Sequence, residues 1–233
     1  MWKNKKVSVV LPAYNEASGI RITIEEFFAT GIVDEIIVVD AKSKDNTVEE
    51  VKKTNAKLII GEIPGQGYGW AIRTGLKSTT GDYIITAESD GTFVGDDIAK
   101  LLTYADRDID VVFGSRTHKE FILPGAEMNL IKRIADRIVA KFLQYIHKGP
   151  PLTDTGCTLK LITHTGLEKI KDKFTQSGST FSPDFMITAI KNGLSCVQIP
   201  VHYRRRIGRS KLTGSFLKNI KLGLAYLRLI VFY

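Results

Sequence analysis

The stretch that decides the fold is Val7-Ser8-Val9-Val10-Leu11-Pro12-Ala13-Tyr14-Asn15-Glu16. Its first half is apolar and rich in valine; its second half is polar and turn-forming. A run that is continuous rather than alternating suits a strand covered on both faces, as in a parallel sheet. The pattern recurs downstream. Segments 35–39, 57–60, 83–86 and 110–113 read as further strands, and segments 17–29, 47–54, 68–78 and 97–104 between them read as helices. Asp45 is a fitting N-cap before Thr47, while Gly31, Gly61 and Gly81 punctuate the joins. Strand–helix–strand repetition implies right-handed crossovers and a mainly parallel central sheet flanked by helices, an α/β fold.

Beyond Arg116 the pattern changes. Residues 128–147 form a long helical segment, with Ile131, Ile134, Ile138, Phe142 and Ile146 at three- and four-residue steps and basic residues on the other positions. Residues 158–162 and 196–203 read as strands, 185–192 as a helix ended by Gly193, and 215–233 as a second basic, amphipathic helix. No repeat, linker or low-complexity tract is visible. The expected organisation is one domain over 1–212 followed by a membrane-proximal amphipathic helix over 213–233.

The composition narrows the function. The chain has 233 residues, 43% hydrophobic and 25% charged, enough for one sizeable core. Its net charge of +8 is unevenly spread: residues 1–115 carry −5, residues 116–233 carry +13, and no acidic residue follows Asp184. Such a split points to an anionic partner for the second half: nucleic acid, membrane phosphate or a phosphorylated substrate. Cys157 and Cys196 are too few for a disulfide scaffold, lack metal-site spacing and read as small core residues. His118, His147, His164 and His202 show no ligand spacing. The N-terminus has no apolar signal-like region, and no apolar run reaches the length of a membrane span, so reducing cytoplasm is the expected compartment.

In an open parallel sheet, ligands bind beyond the carboxyl ends of the strands, near a topological switch. The polar residues following each strand are therefore the candidates. They are Pro12–Glu16 after the first strand, Asp40–Thr47 after the second, Glu88-Ser89-Asp90-Gly91 after the fourth and Gly114-Ser115-Arg116 after the fifth. Carboxylates at three of these ends suit a ribose or base together with a hard divalent cation held by oxygen. Gly65-Gln66-Gly67-Tyr68-Gly69 is not a dinucleotide fingerprint, because its spacing is G-x-G-x-G and it follows the third strand. A turn that lets backbone approach a nucleotide and a plain turn both fit it.

These motifs, taken in order, resemble those of the inverting family 2 glycosyltransferases with the GT-A fold. The likeness extends through Asp154-Thr155-Gly156-Cys157, Ile199-Pro200-Val201 and the run from Arg205 to Lys211, and so covers roughly residues 6–212. The fuller set is similar to the dolichyl-phosphate mannose synthases and related polyprenyl-phosphate sugar transferases. The resemblance implies that Pro12, Tyr14, Glu16 and Asp40 hold the nucleoside of a nucleotide sugar, with Gly67 and Ser89 beside them. It implies that Asp90, with Glu88 in place of the family's first metal-side aspartate, binds Mg²⁺ or Mn²⁺. Arg116 corresponds to an arginine that receives the acceptor phosphate, and Lys132 and Arg133 are further candidates for it. Arg205, Ser210 and Lys211 match the R-x-x-G-x-S-K loop that closes over the diphosphate. Asp184 lies near an acidic position of many relatives. Asp90, Arg116, Asp184 and Arg205 are thus the expected catalytic set.

The activity this implies is transfer of a hexose, from GDP-mannose or a UDP-hexose, to a polyprenyl phosphate with inversion, for protein glycosylation or envelope glycan assembly. The same fold acting on a sugar hydroxyl is the alternative, and would need a general base such as Asp184. A nucleic-acid-binding module is disfavoured, because the basic residues are not interleaved with stacking aromatics and the acidic sheet edge would repel a phosphate backbone. The two basic helices, with aromatic residues Phe216, Tyr226, Phe232 and Tyr233 on the second, suit in-plane attachment to an anionic membrane surface at the cytoplasmic face. Relatives often continue into transmembrane helices where this sequence stops, so it reads as a short peripheral form or as one cut before them.

Overall fold

The computed structural model describes residues 1–208 and 216–233, the side chains of 216 and 217 excepted. A seven-stranded sheet runs through the molecule in the order β3-β2-β1-β4-β6-β5-β7. Its strands are β1 Val7–Ala13, β2 Glu35–Asp40, β3 Lys57–Ile60, β4 Tyr83–Thr86, β5 Val111–Ser115, β6 Lys160–Thr163 and β7 Cys196–Pro200. Only β6 is reversed, pairing antiparallel with both β4 and β5. β1 and β2 are buried along their whole length, as their continuous apolar runs require.

The helices are α1 Ile20–Ala29, α2 Thr47–Lys52, α3 Tyr68–Ser78, α4 Asp97–Ala105, α5 Leu130–His147, α6 His164–Ile170, α7 Phe181–Lys191 and α8 Phe216–Phe232. One core cluster lies under α1 and α4, with Ile24, Phe27, Phe93 and Leu101 against the strands. A second lies under α3 and α7, with Ile72, Phe113, Phe174, Phe181 and Phe185, and a small third joins Ile37, Val39 and Ala71. Phe174 stacks on Phe185 at 5.3 Å, and Phe181 meets both edge-on.

Several boundaries differ from the sequence expectation, each for a local reason. α1 starts at Ile20 because the Glu16 carbonyl first accepts turn bonds from Gly19 and Ile20. α7 starts at Phe181, four residues early, because Pro183 falls in the first turn, where a missing N–H costs nothing. The short α6 was not expected; Thr163 caps it by accepting the Gly166 N–H at 3.1 Å. β7 ends at Pro200 rather than running to 203. The N-cap position of α2 is Asn46 rather than the expected Asp45, although Asp45 accepts the Thr47 N–H at 3.1 Å. The expected domain boundary after residue 212 lies outside the described residues.

The apolar stripe of α5 does not face the core. Only Ala140 and Leu143 are buried on this helix, while Ile131 is 71% exposed and Ile134, Ile138 and Ile146 are also open. α8 repeats the arrangement: Tyr226 and Ile230 point inward, and Ile220, Leu224, Val231 and Phe232 point out. No described helix is long and apolar enough to cross a membrane.

Candidate active site

The chain leaves β1 to build β2 and β3 on one side, then returns to place β4 on the other, so the switch point lies between β1 and β4. The polar ends of these two strands meet there. Ser89 donates its hydroxyl to the Pro12 carbonyl at 2.8 Å, tying the two loops together. Asp40, buried at the end of β2, accepts the backbone N–H of Ser43 at 2.8 Å and its hydroxyl as well. Gly65 is held to the same edge by a 2.9 Å bond to the Ala41 carbonyl, and a side chain there would meet the ring of Tyr14. Tyr14, Asp40 and the 61–67 turn thus form one rim of the sheet edge.

Gly67 has a structural task. Its φ of +105° and the 2.6 Å that would separate a Cβ from the Ser177 carbonyl both exclude a side chain. It does not line the cavity described next.

A cavity of about 310 Å³ opens beside this rim, between the ends of β4 and β5 and helices α5 and α8. Glu88, Asp90, Arg116 and Lys132 line it, together with Asp136, Tyr203, Arg206 and Tyr226. α5 presents Lys132, Ala135, Asp136 and Val139 to it, and α8 presents Asn219, Leu222, Gly223 and Tyr226; both sets follow the spacing of one helical face.

Arg116 is anchored by Asp154. Its Nε and Nη2 donate to the two carboxylate oxygens at 2.9 Å each, and its backbone N–H adds a third 2.9 Å bond. Burial alone would raise the carboxyl pKa of Asp154, but the Arg116 charge and these bonds hold it below the ordinary value. Asp154 itself is fixed by N–H bonds from Gly156 and Cys157. Tyr203 lies under the guanidinium at 5.4 Å. Asp136 approaches Arg116 from α5 at 3.9 Å, and burial together with the charge of Asp154 pushes its pKa up to about 7. Glu88 is pushed up to about 7 as well, by burial first and then by the neighbouring Asp90.

Both oxygens of Asp90 are engaged by the chain itself. Its Oδ1 accepts the N–H and hydroxyl of Thr92 at 3.0 and 2.7 Å, and its Oδ2 lies 2.9 Å from Nη1 of Arg206. The other amino group of Arg206 pairs with Glu16. One guanidinium therefore bridges buried carboxylates from two strand ends. Among the described residues no three acidic, histidine or cysteine side chains converge as a complete metal cage. Asp90 with Glu88 and Glu16 nearby supplies hard oxygen donors around a resident cation, and one or two carboxylates plus diphosphate oxygens are what Mg²⁺ takes. The residues fit a metal shared with a substrate.

The remaining candidates lie elsewhere. Arg133 and Arg137 donate to the Thr117 carbonyl at 2.8 and 3.1 Å, and neither lines the cavity. Asp184 is buried in the first turn of α7 and accepts from the N–H groups of Thr175 and Gln176 and the Thr175 hydroxyl, all within 3.1 Å. It holds a loop and does not reach the cavity; burial raises its pKa despite those bonds. Arg205 is exposed and packs by Gly125, whereas the adjacent Arg206 points inward. Ser210 and Lys211 lie outside the described residues. Arg206 and Asp154 entered the sequence reading only as parts of motifs, and Asp136 was given no role there. Motif spacing marks the loop, but not which of two adjacent arginines turns in.

The mainly parallel sheet, with its acidic switch point and flanking helices, is a GT-A-type fold. The chain belongs to glycosyl transferase family 2, whose model matches residues 8–170. It is 30% identical over 211 residues to the low-salt glycan biosynthesis hexosyltransferase Agl6 of Haloferax volcanii, covering 88% of this chain and 49% of that protein. It is also 30% identical to the undecaprenyl-phosphate 4-deoxy-4-formamido-L-arabinose transferase of Pectobacterium atrosepticum, over 94% of this chain and 65% of that one. The chain thus spans about half to two thirds of the length of these relatives. Among solved structures it is similar to glucosyl-3-phosphoglycerate synthase from Mycobacterium tuberculosis in complex with Mn²⁺, UDP and phosphoglyceric acid. That match has a TM-score of 0.70 and 20% identity, over 97% of this chain and 78% of that one.

Proposed function

We propose that this protein moves a hexose, with inversion, from a nucleotide-diphosphate sugar to a polyprenyl phosphate at a membrane surface. The observation that carries the reading is the lining of the cavity: carboxylates and arginines line it, and the two helices that wall it, α5 and α8, turn exposed apolar residues outward. A phosphate headed by a long hydrocarbon chain matches both features. The names of the polyprenyl-phosphate transferase and hexosyltransferase among the relatives support the reaction class.

In this reading the nucleoside lies along the rim formed by Pro12, Tyr14, Glu16, Asp40, Gly67 and Ser89. Asp90, with Glu88 beside it, would hold Mg²⁺ or Mn²⁺. When bound, such a metal supplies charge neutralisation on the departing diphosphate. Asp154 orients Arg116 so that the remaining Nη1 edge can receive the acceptor phosphate, with Lys132 adding charge. The acceptor phosphate is already an anionic nucleophile and needs no strong base. Tyr226, buried in the wall with its hydroxyl on the Ser179 carbonyl, keeps water from the reacting carbon. Arg205, Ser210 and Lys211 stay as proposed contacts of the donor diphosphate, and Arg133 of the acceptor phosphate.

A hydroxyl acceptor is the second reading, and Asp136 favours it specifically: a carboxyl near neutral pKa on the cavity wall suits a general base. One assay separates them. Purified protein, Mn²⁺ and a panel of UDP- and GDP-hexoses are offered polyprenyl phosphate, 3-phosphoglycerate or an oligosaccharide. Lipid-linked sugar as the product is the expected result. Glycosylated phosphoglycerate or oligosaccharide, with the lipid phosphate untouched, refutes the lipid acceptor while leaving the donor chemistry intact.

A further inference from the structure

We infer that Arg206 is a resident cation that occupies Asp90 in the metal-free chain, and that a divalent metal gains Asp90 only by displacing it. This rests on the proposed reading of Asp90 as the metal-side carboxylate. Three features carry the inference.

The first is saturation. Both lone-pair directions of Asp90 Oδ1 are taken by Thr92, so Oδ2 is the oxygen left to coordinate, and it faces Nη1 of Arg206 at 2.9 Å. A guanidinium and a dication on one oxygen would sit within a few ångströms of each other. Like charges at that range repel too strongly to share a partly buried site. Binding is therefore exclusive.

The second is the way Arg206 is held. Its amino groups reach Glu16 from the β1 end and Asp90 from the β4 end, while its Nε is buried and has no hydrogen-bond partner among the described residues. Its place is set by the two carboxylates, not by a full set of bonds of its own. An arginine serving only to hold the fold would satisfy that donor, as Arg116 does with Asp154.

The third is the mounting. Ile207 donates its N–H to the Asp90 carbonyl at 2.8 Å, and Arg204 donates to the Thr92 carbonyl at 3.0 Å. Arg204 also pairs with Glu26 and the Gly91 carbonyl. Residues 204–207 are strapped along 90–92, so the side chain of Arg206 can swing off Asp90 while its backbone stays in register.

The chain thus keeps its acidic switch point neutralised when no metal is bound, at the expense of metal affinity. If the bridge holds Asp90 for nine tenths of the time, apparent affinity is weakened roughly tenfold, and more if it holds longer. The test measures Mn²⁺ binding to the donor-free protein by electron paramagnetic resonance, in wild type, Arg206→Gln, Arg206→Lys and Asp90→Asn. Arg206→Gln should tighten Mn²⁺ binding by roughly tenfold or more, with Arg206→Lys in between, because lysine keeps the charge but loses the bridging fork. Asp90→Asn should abolish the gain when combined with either change. Should removal of the bridge unfold Arg206→Gln, the lysine variant and the wild-type arginine Nε signal in nitrogen NMR, which should shift on adding Mg²⁺, carry the test. Unchanged or weaker Mn²⁺ binding in the arginine variants, with Asp90 still required, overturns the inference alone. Binding indifferent to Asp90→Asn overturns the metal reading and the inference with it.

Discussion

Asp136 and Asp154 are two carboxylates on one arginine with opposite states. Asp154 is completely buried yet held ionised by the Arg116 fork; Asp136, 3.9 Å away on α5, is pushed up to about 7. The direction matters for pH. The folded chain holds the Asp136 proton more tightly than an unfolded chain with a value near 3.8, so its contribution to stability falls as pH rises from there through about 7. In the proposed reading, with the acceptor phosphate at Arg116, the group ionised above 7 would also repel that phosphate. Wild-type KM for the acceptor should therefore rise by roughly tenfold between pH 6.5 and 8.5, while Asp136→Asn should stay nearly flat. A collapse of kcat in Asp136→Asn with KM unchanged would instead identify a general base. None of this was legible in the sequence, because a pKa is set by neighbours brought in from β5, the 154–157 loop and α5.

At the scale of elements, β1 to β5 and the long helices α5 and α8 were legible to within about two residues, whereas α6 was not read and α7 starts four residues before its expected position. The continuous Val and Ile runs at 35–39 and 83–86 are strands covered on both faces, whereas 57–60 forms the sheet-edge strand β3, whose Ile60 is exposed. α7 was harder: Pro183 reads as a breaker until it falls in the first turn, and Asp184 reads as catalytic until its partners are seen. Those partners, Thr175 and Gln176, make Asp184 the fastening of the α6–α7 loop to its helix. Asp184→Asn should accordingly cost about 1–3 kcal/mol of stability, since it turns an ionic acceptor of three bonds into a poorer one. Melting should fall by roughly 2–12 °C in calorimetry, with kcat at a permissive temperature within a few-fold of wild type. Loss of turnover without loss of stability would restore the base role.

At the scale of the whole molecule, the two charge-opposed halves meet across the switch point. Glu16, Glu88 and Asp90 come from the acidic half; Arg206, Lys132 and the basic helices come from the other. The exposed faces of α5 and α8 lie beside the same cavity, with Lys141, Lys218, Lys221 and Arg228 exposed among them. Sedimentation with vesicles containing anionic lipid should bring down the wild-type protein, less so as salt rises. The pair Ile134→Asp and Leu224→Asp, on the two exposed faces, should abolish co-sedimentation and leave nucleotide binding intact. Equal binding of the pair would show that these faces serve another contact. The sequence by itself determined the succession of strands and helices in the first half, the acidic and basic division and the family, because periodicity, composition and motif order are local properties of the chain. Tertiary structure alone decided which adjacent arginine turns inward, which aspartate holds a loop rather than a ligand, and that the apolar stripe of α5 faces away from the core. Each of those is a choice between faces, and a face has no identity until the neighbouring elements are packed.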